Sequence, residues 1–228
     1  MIKRKSILFV TSIILLTSCG GNTSDSSSEN DKTNFEKATE VVSNFDIEKT
    51  NGYDYSLKQF IGKDEVNSDN ISLRVNFNNN IKAKKVETIK TLNTYGEGEQ
   101  FNIEVVTTYF SNNMICEYIN DQWKWSNYKK SDYFSNAISN IYLDKSNLSS
   151  IKENLNEKYV LTADIPDEKA KDFFKLESIS FTSVSLKLTI SNDFLNFESL
   201  ELSYFQKNTR SELSFSVYRG PVSIDLPN

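Results

Sequence analysis

Apolar residues fall at every second position over most of this chain, and at every third or fourth in a few short stretches. In 35–46, FEKATEVVSNFD, the residues Phe35, Ala38, Val41, Val42 and Phe45 form one stripe, and Thr33 or Asn34 can cap it. That spacing predicts an amphipathic helix. After Asn51 and Gly52 the period drops to two. YDYSLKQFIG is followed by NISLRVNF, where Ile71, Leu73, Val75 and Phe77 alternate with Ser72, Arg74 and Asn76. Such segments are strands with one buried and one wet face. IKAKKVETIKTL continues the series, then FNIEVVTTYF, with Phe101, Ile103 and Val105 on one side, then NMICEYINDQWKWSNY, two short strands turning at Asn120 and Asp121.

Helical spacing returns at Ser131 to Leu143 and at Ser146 to Leu155. KYVLTADI reads as a strand, and Pro166 ends it by removing a donor and fixing the chain for a helix from Asp167, DEKAKDFFKL. Three long strands close the chain: VSLKLTIS with Leu186, Leu188 and Ile190 on one side, FLNFESLELSYF with Leu200, Leu202 and Tyr204, and RSELSFSVYRGPVSIDLP with Leu213, Phe215 and Val217. Asn192–Asp193 and Lys207 to Thr209 are the natural turns between them. No crossover helix separates the early strands, so antiparallel meander pairing is expected.

So many half-wet strands accumulate twist, and their apolar faces need a cover. The predicted class is α+β: a strongly curved antiparallel sheet, or half-barrel, with helices near 33–46, 131–155 and 167–175 over its concave face. A gap between such layers is apolar by construction. Leu73, Val75, Ile103, Val105, Leu186, Leu188, Leu200, Leu202 and Phe215 are the candidate ligand-binding wall.

The N-terminus changes the picture. Lys3, Arg4 and Lys5 precede an apolar run too short to span a bilayer, and it ends at Leu16-Thr17-Ser18-Cys19. This end resembles the lipobox of bacterial lipoprotein precursors, which implies cleavage before Cys19 and a diacylglyceryl thioether on it. An ordinary signal peptidase wants small residues at the first and third positions before the cut, and Leu16 stands third. Each buried methylene contributes about 0.8 kcal/mol, so two or three long acyl chains hold a protein at a membrane. The expected organisation is a signal peptide at 1–18, a lipidated disordered tether at 19–34 with almost nothing apolar to bury, and one domain at 35–228.

Loss of 1–18 takes the formal charge from -5 to -8, which excludes a basic nucleic-acid surface. Cys116 is left without a partner once Cys19 is lipidated, so the fold relies on its core instead of a disulfide, and the apolar context of Cys116 predicts burial. Histidine is absent, which removes histidine triads, cysteine–histidine dyads and the usual zinc sites.

The order of elements resembles the LolA/LolB lipoprotein-carrier fold and the related mycobacterial LprG/LppX lipoproteins. The tail ELSFSVYRGPVSIDLP is similar to their closing strand, and NNMICEYINDQWKWSNY resembles their tyrosine and tryptophan hairpin. The resemblance implies a covered half-barrel that takes up lipid, acylated protein or glycolipid.

Three other signals are weaker. Ser149-Ser150-Ile151-Lys152 contains Ser-x-x-Lys and Ser68-Asp69-Asn70 reads Ser-Asp-Asn, but their order is reversed from penicillin-binding enzymes and Lys-Thr-Gly is missing. The acidic groups Asp64–Glu65, Glu97/Glu99 and Asp164/Asp167/Glu168 lack calcium-loop spacing with its glycine, and read as solvated turns and a helix start. Trp123 and Trp125 share a face and, with Tyr118 and Tyr128, read either as cross-strand pairs or as a platform for envelope sugars. The expectation is a monomeric, non-enzymatic lipoprotein outside the cytoplasm, anchored to a bacterial membrane, without cofactor or metal, binding a lipid or other apolar ligand. The alternative is an interaction or glycan-binding lipoprotein with a filled core.

Overall fold

A computed structural model describes residues 32–61, 69–80, 82–94, 100–127, 143–174 and 180–227. Helix α1 (Asn34–Ser43) leads into β1 (Gly52–Ile61), β2 (Asp69–Asn79), β3 (Lys84–Thr94), β4 (Gln100–Ser111), β5 (Met114–Ile119) and β6 (Gln122–Asn127). Then come β7 (Ser149–Leu155), β8 (Lys158–Ile165), α2 (Ala170–Phe174), β9 (Thr182–Ser191), β10 (Phe197–Gln206) and β11 (Thr209–Tyr218). All eleven strands form one antiparallel sheet in the order β6-β5-β4-β3-β2-β1-β11-β10-β9-β8-β7. The first and last strands meet in the middle, paired from Gly52↔Tyr218 to Ile61↔Thr209. Sequence neighbours are sheet neighbours within each half, as the meander reading expects.

Local chemistry explains the element ends. Thr33 caps α1: its Oγ1 accepts from Glu36 N at 3.3 Å, while the Glu36 carboxylate accepts from Thr33 N at 2.7 Å, a reciprocal capping box. Those bonds from Thr33 hold the Glu36 carboxyl below its ordinary value of 4.5. A depressed carboxylate stabilises the fold above its unfolded value and ceases to do so as pH falls through the folded one. Thr33→Ala removes the Oγ1 that accepts from the Glu36 amide, and loss of such an N-cap is expected to cost about 1 kcal/mol. In urea titrations the deficit should shrink on acidification below pH 4.5, the ordinary glutamate value.

The β5–β6 turn is Asn120–Asp121, with φ of 51° and 60°, and Asn112–Asn113 repeats the same pair of angles between β4 and β5. Two successive left-handed residues make the hairpin turn whose twist matches the strands, and Asn and Asp tolerate it.

Two readings need correction. Ser146 to Leu155 is not a helix: a 3₁₀ turn at Lys145–Asn147 is followed by β7, an edge strand on β8. Leu148, Ile151 and Leu155 do stand at helical spacing, but Leu148 and Ile151 pack on the core while Glu153 accepts from the Tyr159 hydroxyl at 3.0 Å. A bulge between Ser149 and Lys152, with Ser150 at φ 52°, lets the strand do this. The helix expected at Ser131 to Leu143 lies, save for Leu143, outside the described residues. The second correction concerns curvature: the sheet is open, with β6 and β7 as edges, and is not strongly curled. Apolar surface sits on both faces of its β3–β6 half, so no single face there has burial to gain from bending.

Pairing fixes which residues share a face. On what we call the inner face, Leu161, Leu188, Leu200, Phe215, Tyr55, Val75, Thr88 and Val106 form one cross-sheet row from β8 to β4. Helices α1 and α2 cover only part of that face. The core cluster takes Phe35, Ala38 and Val42 from α1, Ala170 and Phe173 from α2, and its strand residues from β8 to β11, with Tyr53 and Tyr55 of β1 packed against it. Among the described residues it takes none from β2 to β6.

Candidate functional site

The nine predicted wall residues separate into three sets. Leu186, Leu188, Leu200, Leu202 and Phe215 are 1–3% exposed and lie inside the packed cluster. Phe45 fills the space above two of these strands, 4.8 Å from Phe197 and 5.9 Å from Phe215 between ring centroids. Leu73 and Val75 lie on the same inner face but beyond the cluster, and are half-buried. Ile103 and Val105 point the other way. Val105 opposes Ile89, which opposes Arg74, so both belong to the outer face, where they are 57% and 58% exposed.

The inner face therefore continues past its helical cover. Across the sheet Leu213, Leu57 and Leu73 stand in one row, and Phe215, Tyr55 and Val75 in the next. Burial pushes the hydroxyls of Tyr53 and Tyr55 up to about 12, which favours the neutral phenol at both. Next to Leu73, a groove of about 470 Å³ is lined by the apolar Ile71, Leu92 and Ile103 together with Lys90, Thr91, Asn102 and Glu104. Lys90 and Glu104 pair across β3 and β4 at 3.6 Å, which places an ion pair at the margin of the apolar strip. A long apolar strip with a charged margin can hold a hydrocarbon by area alone.

The remaining sequence signals are placed as follows. Ser149 begins β7 and its hydroxyl donates to the Asp164 carbonyl at 3.1 Å, while Ser68, Asp64, Glu65, Glu97 and Glu99 lie outside the described residues. Asp167 accepts from the Ser183 amide at 2.9 Å. No group of three metal-type side chains occurs among the described residues. Trp123 and Trp125 share the outer face of β6, opposite Tyr118 and Cys116 of β5. Trp123 meets Tyr109 at 76° and Tyr118 at 61°, so these three rings form an edge-to-face cluster of cross-strand pairs. Cys116 is fully buried and unpaired, as its apolar context predicts.

Fold and site together describe an open antiparallel sheet with short helices on part of one face and an apolar strip running out from beneath them. No family model matches the chain, and no curated protein matches it. Among solved structures it is similar to LprF from Mycobacterium bovis, at 8% identity over 85% of this chain and 94% of that one, with a TM-score of 0.36. It is also similar to a LolA superfamily protein from Nitrosomonas europaea, at 10% identity over 83% and 93% of the two chains, with a TM-score of 0.25. What the chain binds is argued from its own residues.

Proposed function

We propose that this chain is a monomeric, non-enzymatic lipoprotein that binds a lipid or other apolar ligand on the inner sheet face, held outside the cytoplasm by acyl chains on Cys19. The observation that carries this reading is the continuation of the inner face past the packed cluster, where Leu57, Leu73, Val75 and Leu92 stay half-buried. Leu186, Leu188, Leu200, Leu202 and Phe215 are its packed base, and Leu73 and Val75 its open part. Val105, on the opposite face, stands outside it, while Ile103 borders the groove beside Leu92. Burying eight methylenes of a ligand supplies on the order of 6 kcal/mol before association costs.

A neutral apolar fluorophore tests it. Titration with diphenylhexatriene should give saturable binding that Leu73→Ser/Val75→Ser weakens about tenfold, the effect of removing two apolar contacts. Val105→Ser, on the opposite face, should leave it unchanged. The reverse pattern, or no saturable binding, would discard the proposal.

A further inference from the structure

A second concavity lies away from the apolar strip, where α1, the turn after it and the β9–β10 loop meet. It measures about 880 Å³, and Val41, Phe45, Phe197 and Val217 give it an apolar lining. The loop beside it is held in an unusual shape. Phe194 has φ of 55°, a left-handed angle that a bulky side chain rarely adopts. Five hydrogen bonds hold the backbone there. Ser191 Oγ and Leu195 N donate to Asp193, Asn196 N donates to Ser191 Oγ, Ser191 N donates to the Asn196 carbonyl, and Phe194 N donates to the Ser191 carbonyl. The consequence is that Leu195 stands at the cleft 75% exposed, the highest value among the large apolar residues described.

The charges in the cleft do not cancel. Lys32 pairs with Glu40 at 2.7 Å, and Lys49 with Asp46 at 3.5 Å. Asp193 is satisfied inside its loop: the Ser191 hydroxyl first, then the Leu195 amide, hold its carboxyl below the usual range, with Arg219 contributing charge from nearby. Lys37 has its ammonium 5.7 Å from the centre of the Phe194 ring, and Arg219 donates one bond to the Phe197 carbonyl at 3.1 Å. Against the carboxylates of Glu40, Asp46 and Asp193 stand four cations, Lys32, Lys37, Lys49 and Arg219, in a protein of net charge -5. A local positive surplus beside an outward-held leucine and the half-buried rings of Phe45 and Phe194 is the complement of an amphiphile.

We infer that this cleft is a separate site for a single-chain amphiphile with an anionic head, its tail against Leu195, Phe45 and Phe197 and its head between Lys37 and Arg219. Calorimetry with dodecanoate, dodecyl phosphate and dodecanol tests it, and the tighter of the two anions identifies a carboxylate or a phosphate head. At least one anion should bind about tenfold more tightly than dodecanol, the effect of one charge-assisted hydrogen bond. Lys37→Gln/Arg219→Gln should bring that anion down to the affinity of dodecanol, and Leu195→Ser should weaken all three. Because variants can misfold, the unmodified protein supplies a second readout: raising salt from low to high should weaken the anion and leave dodecanol unchanged. Leu73→Ser/Val75→Ser, which tests the apolar strip, should not alter anion binding, so the two sites fail separately. Equal affinity for anion and alcohol, absence of binding by all three, or salt-independent anion binding would overturn the inference.

Discussion

Phe215→Ala is expected to lower the free energy of unfolding by about 3–5 kcal/mol, among the largest losses a single truncation produces. Phe215 is 1% exposed, stacks on Tyr53 at 5.1 Å, and is enclosed by Phe45 and Phe197, each at 5.9 Å. Those rings come from three elements, α1's exit, β1 and β10, and cannot collapse together into the space a phenyl leaves. Urea titration of the variant should show a lowered midpoint with unchanged slope. A loss below about 1.5 kcal/mol would mean that Phe215 borders open space instead of packed rings.

Gly52→Ala should cost about 3 kcal/mol, at the upper end for overpacking. A Cβ there would overlap the Phe77 carbonyl oxygen, which is backbone and cannot swing aside as a side-chain tip could. Relief requires β1 and β2 to separate where Gly52 opposes Asn78, next to the Tyr53–Phe77 ring pair at 5.0 Å. This junction joins the helix-covered half of the sheet to the half bearing the apolar groove. Hydrogen exchange should show faster opening of β1 and β2 amides in the variant, and wild-type protection at these positions would contradict the steric account.

The sequence made much of this legible because side-chain period and turn chemistry are local. Leu73 and Val75, or Leu186 and Leu188, alternate with polar neighbours, and Asn120–Asp121 carries the residue types that left-handed turns favour. Parity across strands was harder to read. Val105 and Val106 are adjacent apolar residues, so β4 alternates equally well in either phase, and only the register through Ile89 and Arg74 assigns Val105 to the outer face and Val106 to the inner one. β7 failed as a prediction for a related reason: Leu148, Ile151 and Leu155 fit a helix, and the pairing with β8 that overrides this is non-local. The cleft at α1 gave no sequence signal, since Lys37, Leu195 and Arg219 are brought together only by the fold. Phe194 in NDFLN was the one available hint, an aromatic within a turn otherwise written in Asn and Asp.

The central claim is that the inner face beyond the packed cluster holds an apolar chain. Its most direct test is photolabelling with a neutral long-chain diazirine followed by peptide mapping. The account predicts adducts concentrated on 69–93, at Leu73, Val75 and Leu92. Adducts confined to Val105 and the β5–β6 hairpin, or scattered without saturation, would contradict it.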